Sequence, residues 1–168
     1  MKQINMTLSV ASINNAIEEL KKYKKSLEQK NEIFVKRLAE YGLNVVNTKI
    51  AESRGDSDDA QSKMQFNPMG EIVYAELHLT GEDVLFIEFG SGIYYNSGNE
   101  HPLAKQFGYG VGTYPGQTHA YEDFWFYTDK DGTHSHFSHG TEATMPMYNS
   151  VIEMYKTVYS IAKEVFGG

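Results

Sequence analysis

The chain has 168 residues, a net charge of −7 and no cysteine. A single domain of this length buries roughly 70% of the surface of its unfolded chain, so it can fold without a disulfide or a structural metal. The lack of cysteine excludes disulfide frameworks, thiolate zinc sites and cysteine nucleophiles. The sequence has no apolar run of the roughly 18 residues that a membrane span needs and no apolar segment of a signal peptide at its start, so we expect a soluble chain.

Positive and negative charges are unevenly distributed along the chain. Residues 1–42 contain eight Lys or Arg and five Asp or Glu, a net of +3, whereas residues 43–168 contain seven and seventeen, a net of −10. Neutralisation of phosphates by Lys and Arg supplies most of the affinity of nucleic-acid-binding proteins. The acidic second part therefore argues against tight binding of DNA or RNA, and it is compatible with a surface past which DNA moves without adhering.

A long helix is predicted in the N-terminal part of the chain. With Ser12 as the N-cap and Gly42 as the C-cap, the helix over 12–42 would be about 45 Å long. Its middle turns carry a basic patch, which is either a solvated face or a surface that docks on an acidic neighbour. The patch consists of Lys21, Lys22, Lys24 and Lys25, and the apolar stripe consists of Ile13, Ile17, Leu20, Leu27, Phe34, Leu38 and Tyr41, at helical spacing.

The segments that follow are typical of strands. Residues 43–50 are rich in β-branched side chains and predict a first strand. A short strand over 63–66 ends at a Pro-Gly turn, and residues 71–79 alternate apolar and polar side chains. The apolar run 84–89 is bounded by glycines, which predicts a strand that pairs with 71–79 as an antiparallel hairpin.

The predicted hairpin carries a histidine and a carboxylate that could approach each other, His78 and Glu88. Such a pair can perform general acid–base catalysis. Polar side chains on the outer face of an antiparallel sheet are the commoner case, and we favour that interpretation.

Residues 90–121 form a long segment with seven of the chain's fifteen glycines and several aromatic residues. Aromatic side chains on Gly-rich backbone are typical of adaptable contact surfaces. We expect residues 93–121 to stay outside the core of their own subunit, to be mobile there, and to become ordered against a neighbouring subunit or partner. The candidate contact residues are Tyr94, Tyr95, Phe107, Tyr109 and Tyr114.

A second hairpin is predicted, with strands over 122–128 and 133–137. It brings His134, His136 and His139 close in sequence, and two histidines at positions i and i+2 of a strand lie on one face about 6.5–7 Å apart. These histidines are the weak candidates for metal ligands, and they leave open an alternative function as a His-based metal-dependent hydrolase that uses Glu88 or Asp123.

The last predicted element is a helix over 144–166, with Thr144 as N-cap and Pro146 in the first turn. Its apolar residues recur at spacings of four and three and predict a face that packs on the core; they are Met147, Val151, Met154, Val158, Ile161 and Val165. The fold class is therefore α+β, a small antiparallel sheet packed by a long N-terminal helix and a C-terminal helix, in a single domain over 1–168.

Three segments, in order, carry a resemblance to a known family: 88–92 (Glu-Phe-Gly-Ser-Gly), 125–127 with the turn 131–132, and 138–147, which leads into the last helix. This pattern resembles the tail-completion proteins of long-tailed bacteriophages, which form the neck and join head to tail. The resemblance covers about residues 72–168, while the long N-terminal helix agrees with the family only in kind.

The resemblance implies a structural virion protein without catalysis or cofactor. Such subunits form a homo-oligomeric ring, typically a hexamer, between a head-closure or adaptor ring and the tail terminator or tail tube protein. DNA would pass through the ring without specific binding. The protein would be made in the host cytoplasm and would end up in the virion, at the neck or top of the tail.

Overall fold

The computed structural model describes residues 4–53, 59–69, 72–98, 100–110, 113, 115–117, 122–129 and 131–167. Within these ranges, three helices and four strands follow one another. They are α1 (Val10–Glu52), β1 (Gln61–Met69), β2 (Ile72–Thr80), α2 (Val84–Phe89), β3 (Trp125–Thr128), β4 (Ser135–Ser138) and α3 (Pro146–Phe166), with a 3₁₀ turn at Ala104–Phe107. The α+β class with long N- and C-terminal helices is confirmed.

The strands form two separate antiparallel pairs instead of the one sheet that the sequence predicted. In the first pair β1 lies against β2, with Met64 opposite Leu77. In the second pair β3 lies against β4, with Phe126 opposite Phe137, which confirms the predicted second hairpin. Among the described residues no ladder joins the two pairs.

Helix α1 is longer than predicted at both ends. Ser9, and not Ser12, is the N-cap, and the helix of 43 residues continues through the segment that was predicted as a strand. The prediction of a strand over 43–50 is therefore wrong. Val46 is 1% exposed and lies on the same helix face as Ala39 and Gly42, which are also buried. Burial of that face overrides the modest preference of β-branched residues for strands.

Gly42 is an interior residue of α1 at the point where α3 crosses it, and not a C-cap. Its carbonyl oxygen accepts a hydrogen bond from the Ser150 hydroxyl at 3.0 Å. A Cβ at Gly42 would lie 2.7 Å from the sulfur of Met154 and 2.9 Å from a methyl of Leu77. The missing side chain thus lets α1, α3 and β2 approach closely.

Helices α1 and α3 pack antiparallel. Near the start of α3, Ser150 meets Gly42, and at its end Phe166 meets Phe34 with ring centroids 5.8 Å apart. The described part of α1 before this contact, over residues 10–26, is exposed except for Ala16 and the half-buried Ser12. We call residues 10–26 the overhang. Within the described residues, no helix is both long and apolar enough to cross a membrane.

The predicted C-terminal helix is confirmed, with two corrections. It begins at Pro146, after Met145 in a left-handed conformation (φ 54°), and the side chain of Met145 makes no capping hydrogen bond. Thr144 is not the N-cap, because its hydroxyl is buried without a hydrogen-bond partner among the described atoms. Of the predicted core stripe, Val151 is exposed and the other members are half-buried.

The run over 84–89 is a short helix, α2, and not a strand paired with 71–79. Strand β2 pairs with β1 instead. Ile87, Glu88 and Phe89 are three consecutive buried residues, whereas a strand would turn every second side chain to the opposite face. A short apolar run does not distinguish a strand from a buried helix.

The close crossing at Gly42 yields a first prediction. Gly42→Val should lower the free energy of unfolding by about 2 kcal/mol, because the added carbons overlap Met154 and Leu77. Urea unfolding followed by circular dichroism measures this change. Asn44→Val places the same residue on the exposed face of the same helix and should change stability by less than about 0.5 kcal/mol. Equal losses in both variants would contradict the packing described here.

Candidate functional site

The described residues include six buried polar or charged side chains, and five of them form one cluster beside the start of α3. We call these five the buried polar cluster: Glu88, Ser91, Asn96, His101 and Thr141. The sixth is Ser150, at the helix crossing. Buried polar groups are costly unless they are hydrogen-bonded, so their partners indicate what the cluster does.

Glu88 caps α3 from another part of the chain. Its carboxylate oxygens accept hydrogen bonds from the backbone N–H groups of Met147 and Tyr148, both at 2.9 Å. The first N–H groups of a helix have no partner within the helix, and the helix dipole favours a negative charge there. Glu88 therefore supplies the cap that Thr144 does not.

His101 is the third partner of Glu88, at 3.1 Å from Nε2 to the carboxylate. The other ring nitrogen, Nδ1, accepts the backbone N–H of Leu103 at 3.0 Å. Since Nδ1 accepts, the ring proton lies on Nε2 and is donated to Glu88, which makes His101 a neutral donor here. The ring also packs against Phe89, at 4.6 Å between centroids, and against Tyr148, at 5.0 Å.

Asn96 connects the Gly-rich turn after α2 with the segment before α3. Its side-chain amide donates to the carbonyl oxygens of Gly92 and Thr141, both at 2.9 Å, and its side-chain oxygen accepts the N–H of Ala143 at 2.8 Å. Ser91 and Thr141 also exchange two backbone hydrogen bonds, each of 3.0 Å. Asn96 is completely buried, so these bonds are shielded from water.

Two glycines are required by close approach as well as by conformation. Gly92 (φ +75°) has no room for a side chain because a Cβ would lie 2.8 Å from the ring of Trp125. At Gly140 (φ +87°) a Cβ would overlap the carbonyl oxygen of Ser91. The three segments that resemble the phage family thus contact one another: 88–92 with Trp125 of β3 and with residues 140–148.

The expected pairing of His78 with Glu88 is wrong. His78 lies on the exposed side of β2, and its Nε2 is 3.6 Å from Glu76. Glu88 lies in α2, is buried, and is not a half-exposed residue on a sheet face. The hydrogen bonds of its carboxylate to α3 and His101 make it part of the framework.

The expectation that residues 93–121 stay outside the core of their own subunit is wrong for several of them. Asn96, His101 and Ala104 are buried. Phe107 and Tyr109 pack on Phe89, with the Tyr109 ring stacked at 4.3 Å between centroids. Local sequence patterns do not signal this packing because its partners lie elsewhere in the chain.

The described candidate contact residues lie at two places, Tyr94 and Tyr95 near His139, and Phe107 and Tyr109 near Phe89. Tyr94 is exposed and stacks on His139 at 4.1 Å, and Tyr95 meets Tyr94 edge-on. Phe107 is exposed on its outer side, whereas Tyr109 is half-buried. The remaining candidate, Tyr114, lies outside the described residues.

The three candidate metal-ligating histidines do not meet at one point. His136 and His134 share Asp129, at 2.7 Å and 3.6 Å, which agrees with their position on one face. His139 instead points to the backbone oxygen of Asp123, at 2.8 Å, and to Tyr94. Within the described ranges no group of three or more His, Asp or Glu could hold a metal ion.

The turn of this hairpin is held by Asp131. The hydroxyl and the backbone N–H of Thr133 donate to its carboxylate at 2.7 Å and 3.1 Å. These hydrogen bonds, the hydroxyl first, hold the pKa of Asp131 below its usual value. The side chain of Asp131 thus fixes the tip of the hairpin by local hydrogen bonds.

The basic patch lies on the overhang, where all four lysines are exposed. Lys21 pairs with Glu18 at 2.9 Å and Lys24 with Glu28 at 3.8 Å, both within the helix. Lys22 and Lys25 project from the same turns. Exposed pairs of this kind contribute little to stability.

Sequence reasoning missed an aromatic cluster on the second hairpin. Phe124, Phe126 and Phe137 are all exposed, and their ring centroids lie 5.4–6.3 Å apart. The alternation of phenylalanines with Trp125, which faces Gly92, was the available signal. Large exposed apolar patches mark contact surfaces, so this hairpin joins the overhang as a candidate contact region.

Comparison of the chain with protein-family models, with curated proteins and with solved structures gives no match in any of the three.

Removal of the Glu88 carboxylate tests its role as a cap. Glu88→Ala should lower the free energy of unfolding by about 3 kcal/mol, since two helix N–H groups and His101 lose a buried charged partner. Chemical unfolding of the purified variant measures the loss. Glu76→Ala removes the carboxylate of the exposed Glu76–His78 pair and should cost under about 0.5 kcal/mol. Similar small losses in both variants would refute the capping role.

Alanine substitutions at two glycines with positive φ distinguish the cost of a strained backbone from the cost of a steric overlap. A Cβ added at Gly132 (φ +73°) would meet open space, whereas one added at Gly140 would not. Both substitutions by alanine carry the strain of a left-handed residue, about 1–2 kcal/mol. Gly140→Ala should lose at least about 2 kcal/mol more than Gly132→Ala, because the chain at Ser91 must move. Thermal unfolding compares the two, and equal losses would rule out the close approach at Gly140.

Proposed function

We propose that this chain is a structural virion protein, a ring-forming tail-completion component that joins a phage head to its tail and catalyses no reaction. The assignment to a phage protein rests on the resemblance of residues 88–92, 125–127 with 131–132, and 138–147 to the tail-completion family. In a ring the subunit would contact copies of itself, a head-closure or adaptor ring on one side, and a tail terminator or tail tube protein on the other.

The observation that carries the proposal is the overhang. Its apolar residues Ile13, Ile17 and Leu20 are 37%, 44% and 55% exposed, on the stripe that α3 covers further along α1. A stripe of this kind on a protein in water is typical of a surface that another protein covers. In the proposed ring, a neighbouring subunit or an adjoining ring would cover this stripe.

Glu88 supports a structural role for the resembling motif. Its carboxylate is directed to the N–H groups of α3 and to His101, within the subunit. A catalytic carboxylate has to reach a substrate, and each hydrogen bond to the framework reduces its availability for that task. The charge distribution agrees with the role, since a body with a net of −10 over residues 43–168 repels DNA that passes through a channel.

The hydrolase alternative has less support. It requires His134, His136 and His139 around one ion, whereas the ring of His139 is directed to Tyr94 and Asp123. A catalytic zinc site takes three protein ligands and keeps one position open. The observed pair of histidines on Asp129 falls short of that arrangement.

Deletion of the gene from the genome that encodes it tests the proposal. We expect filled heads and complete tails to accumulate separately, as counted by electron microscopy of lysates, and the intact gene supplied in trans to restore joined particles. A His134→Ala/His136→Ala variant should restore joining as well as the parent does, because these exposed histidines serve no catalysis. Joined particles in the absence of the gene would refute the proposal, and failure of the folded histidine variant would favour the hydrolase.

A further inference from the structure

The stripe of α1 has the seven-residue period of a coiled coil. Its positions follow one another at alternating spacings of three and four residues, and only two of them, Lys24 and Asn31, are neither apolar nor aromatic. A strict seven-residue repeat keeps one face of a helix turned towards a partner helix along its whole length. The positions are Val10, Ile13, Ile17, Leu20, Lys24, Leu27, Asn31, Phe34, Leu38 and Tyr41.

Helix α3 covers only the second part of this repeat. It runs antiparallel to α1, and its last residue, Phe166, packs on Phe34. Before Phe34 the repeat continues through the overhang, where Val10, Ile17 and Leu20 are exposed to water. The overhang therefore continues an interface whose other part is already filled by an antiparallel helix, and a helix in line with α3 would extend that packing.

The overhang of a second copy has the properties that such a helix needs. It is uninterrupted, it has the same repeat, and residues 10–27 are about 27 Å long. When two copies run antiparallel over 10–27, their positions pair in layers along the contact, and each pair occurs twice. The layers are Val10 with Leu27, Ile13 with Lys24, and Ile17 with Leu20.

The side chains beside these layers are complementary in size. In this register Ala16 of one copy lies next to Tyr23 of the other. The Tyr23 ring is exposed in the single subunit, and the small side chain of Ala16 leaves room for it. In the layer of Ile13, the aliphatic stem of Lys24 packs on the isoleucine while its ammonium group stays with Glu28, 3.8 Å away on its own helix.

Charge and space favour the antiparallel over the parallel orientation. A parallel pair in register would place the basic patches side by side, with Lys24 facing Lys24. In the antiparallel pair these two lysines are 11 residues apart along the axis, about 16 Å, which exceeds the screening length of about 8 Å at physiological salt. A parallel second copy would also need, beyond Leu27, the face of α1 that α3 occupies at Phe34.

We propose that two copies of this chain pair through their overhangs, as an antiparallel coiled coil over residues 10–27. The contact is isologous, since both copies use the same surface. The inference goes beyond the proposed function, because it concerns the free protein: the pair keeps the stripe out of water until a contact in the particle replaces it.

Substitutions on the two faces of the overhang test the pair. The seam variant is I17E/L20E, and the matched control N15E/Q29E adds the same charge on the outer face of the same helix. Circular dichroism and thermal unfolding establish that both variants are folded. Sedimentation equilibrium over a concentration series gives the dissociation constant of each protein.

We expect the parent to form a dimer and the seam variant to dissociate at least about a hundredfold more readily, since four apolar side chains of the contact become charged. The control should stay within about threefold of the parent, because its side chains point away from the partner. Both variants should unfold at nearly the temperature of the parent measured as a monomer.

The lack of cysteine in the chain allows a test of the orientation. In the antiparallel pair, residue 13 of one copy lies opposite residue 24 of the other, and a disulfide needs Cα atoms within about 7 Å. An equal mixture of Ile13→Cys and Lys24→Cys should therefore form a mixed cross-linked dimer under mild oxidation, identified by its mass. Each variant alone should stay uncross-linked, because its cysteines lie about 16 Å apart.

Three results would overturn the inference: a parent that stays monomeric at the highest soluble concentration, a control that weakens the dimer as much as the seam variant, or cysteine variants that cross-link alone and not with each other. None of these decides the proposed function, which the gene deletion tests separately. If particles require the gene while the parent is monomeric, the pair is wrong and the function stands. If the pair forms but heads and tails join without the gene, the pair stands and the function is wrong.

Discussion

The bonds of the Glu88 carboxylate hold together elements that are far apart in the chain. One side chain in α2 caps the start of α3, 59 and 60 residues later, and accepts a hydrogen bond from His101 in the Gly-rich segment. The charge is stable in this buried position because three donors and a helix dipole surround it. Without it, two partly buried N–H groups at the start of α3 would lose their partner, and α3 is the helix that packs on α1.

The residues around Glu88 extend this arrangement into the backbone. Asn96 binds both sides of the junction between the turn after α2 and the approach to α3, and the glycines at 92 and 140 let Trp125 and Ser91 approach. A hydrogen-bonded network of this density specifies one arrangement of three chain segments. The segments that resemble the phage family thus form a structural junction between parts of the chain, and that role involves no substrate.

Helix periodicity and hairpin turns were readable from the sequence, whereas the junction was not. The stripes of α1 and α3 and the turn over 129–132 are local signals, and each predicted its element. The prediction of a strand over 43–50 was wrong because Val46 is buried against elements that are distant in sequence, and local propensity contains no information about them. The prediction of a strand over 84–89 was wrong because a short, largely apolar run is compatible with either a strand or a buried helix. The partners of Glu88 lie 13 and more residues away, beyond any periodic pattern.

The molecule combines a densely hydrogen-bonded junction with an exposed helical overhang. This combination supports our proposal that the chain acts by assembly. If the chain is a tail-completion protein as we propose, the most direct measurement is a cryo-electron microscopy reconstruction of the head–tail neck of particles assembled by the genome that encodes it. We predict a closed ring of this chain between head and tail, with residues 10–26 of each copy covered by the adjacent copy or by an adjoining ring. A neck that lacks the chain, or a chain present there as isolated copies with the overhang in solvent, would contradict it.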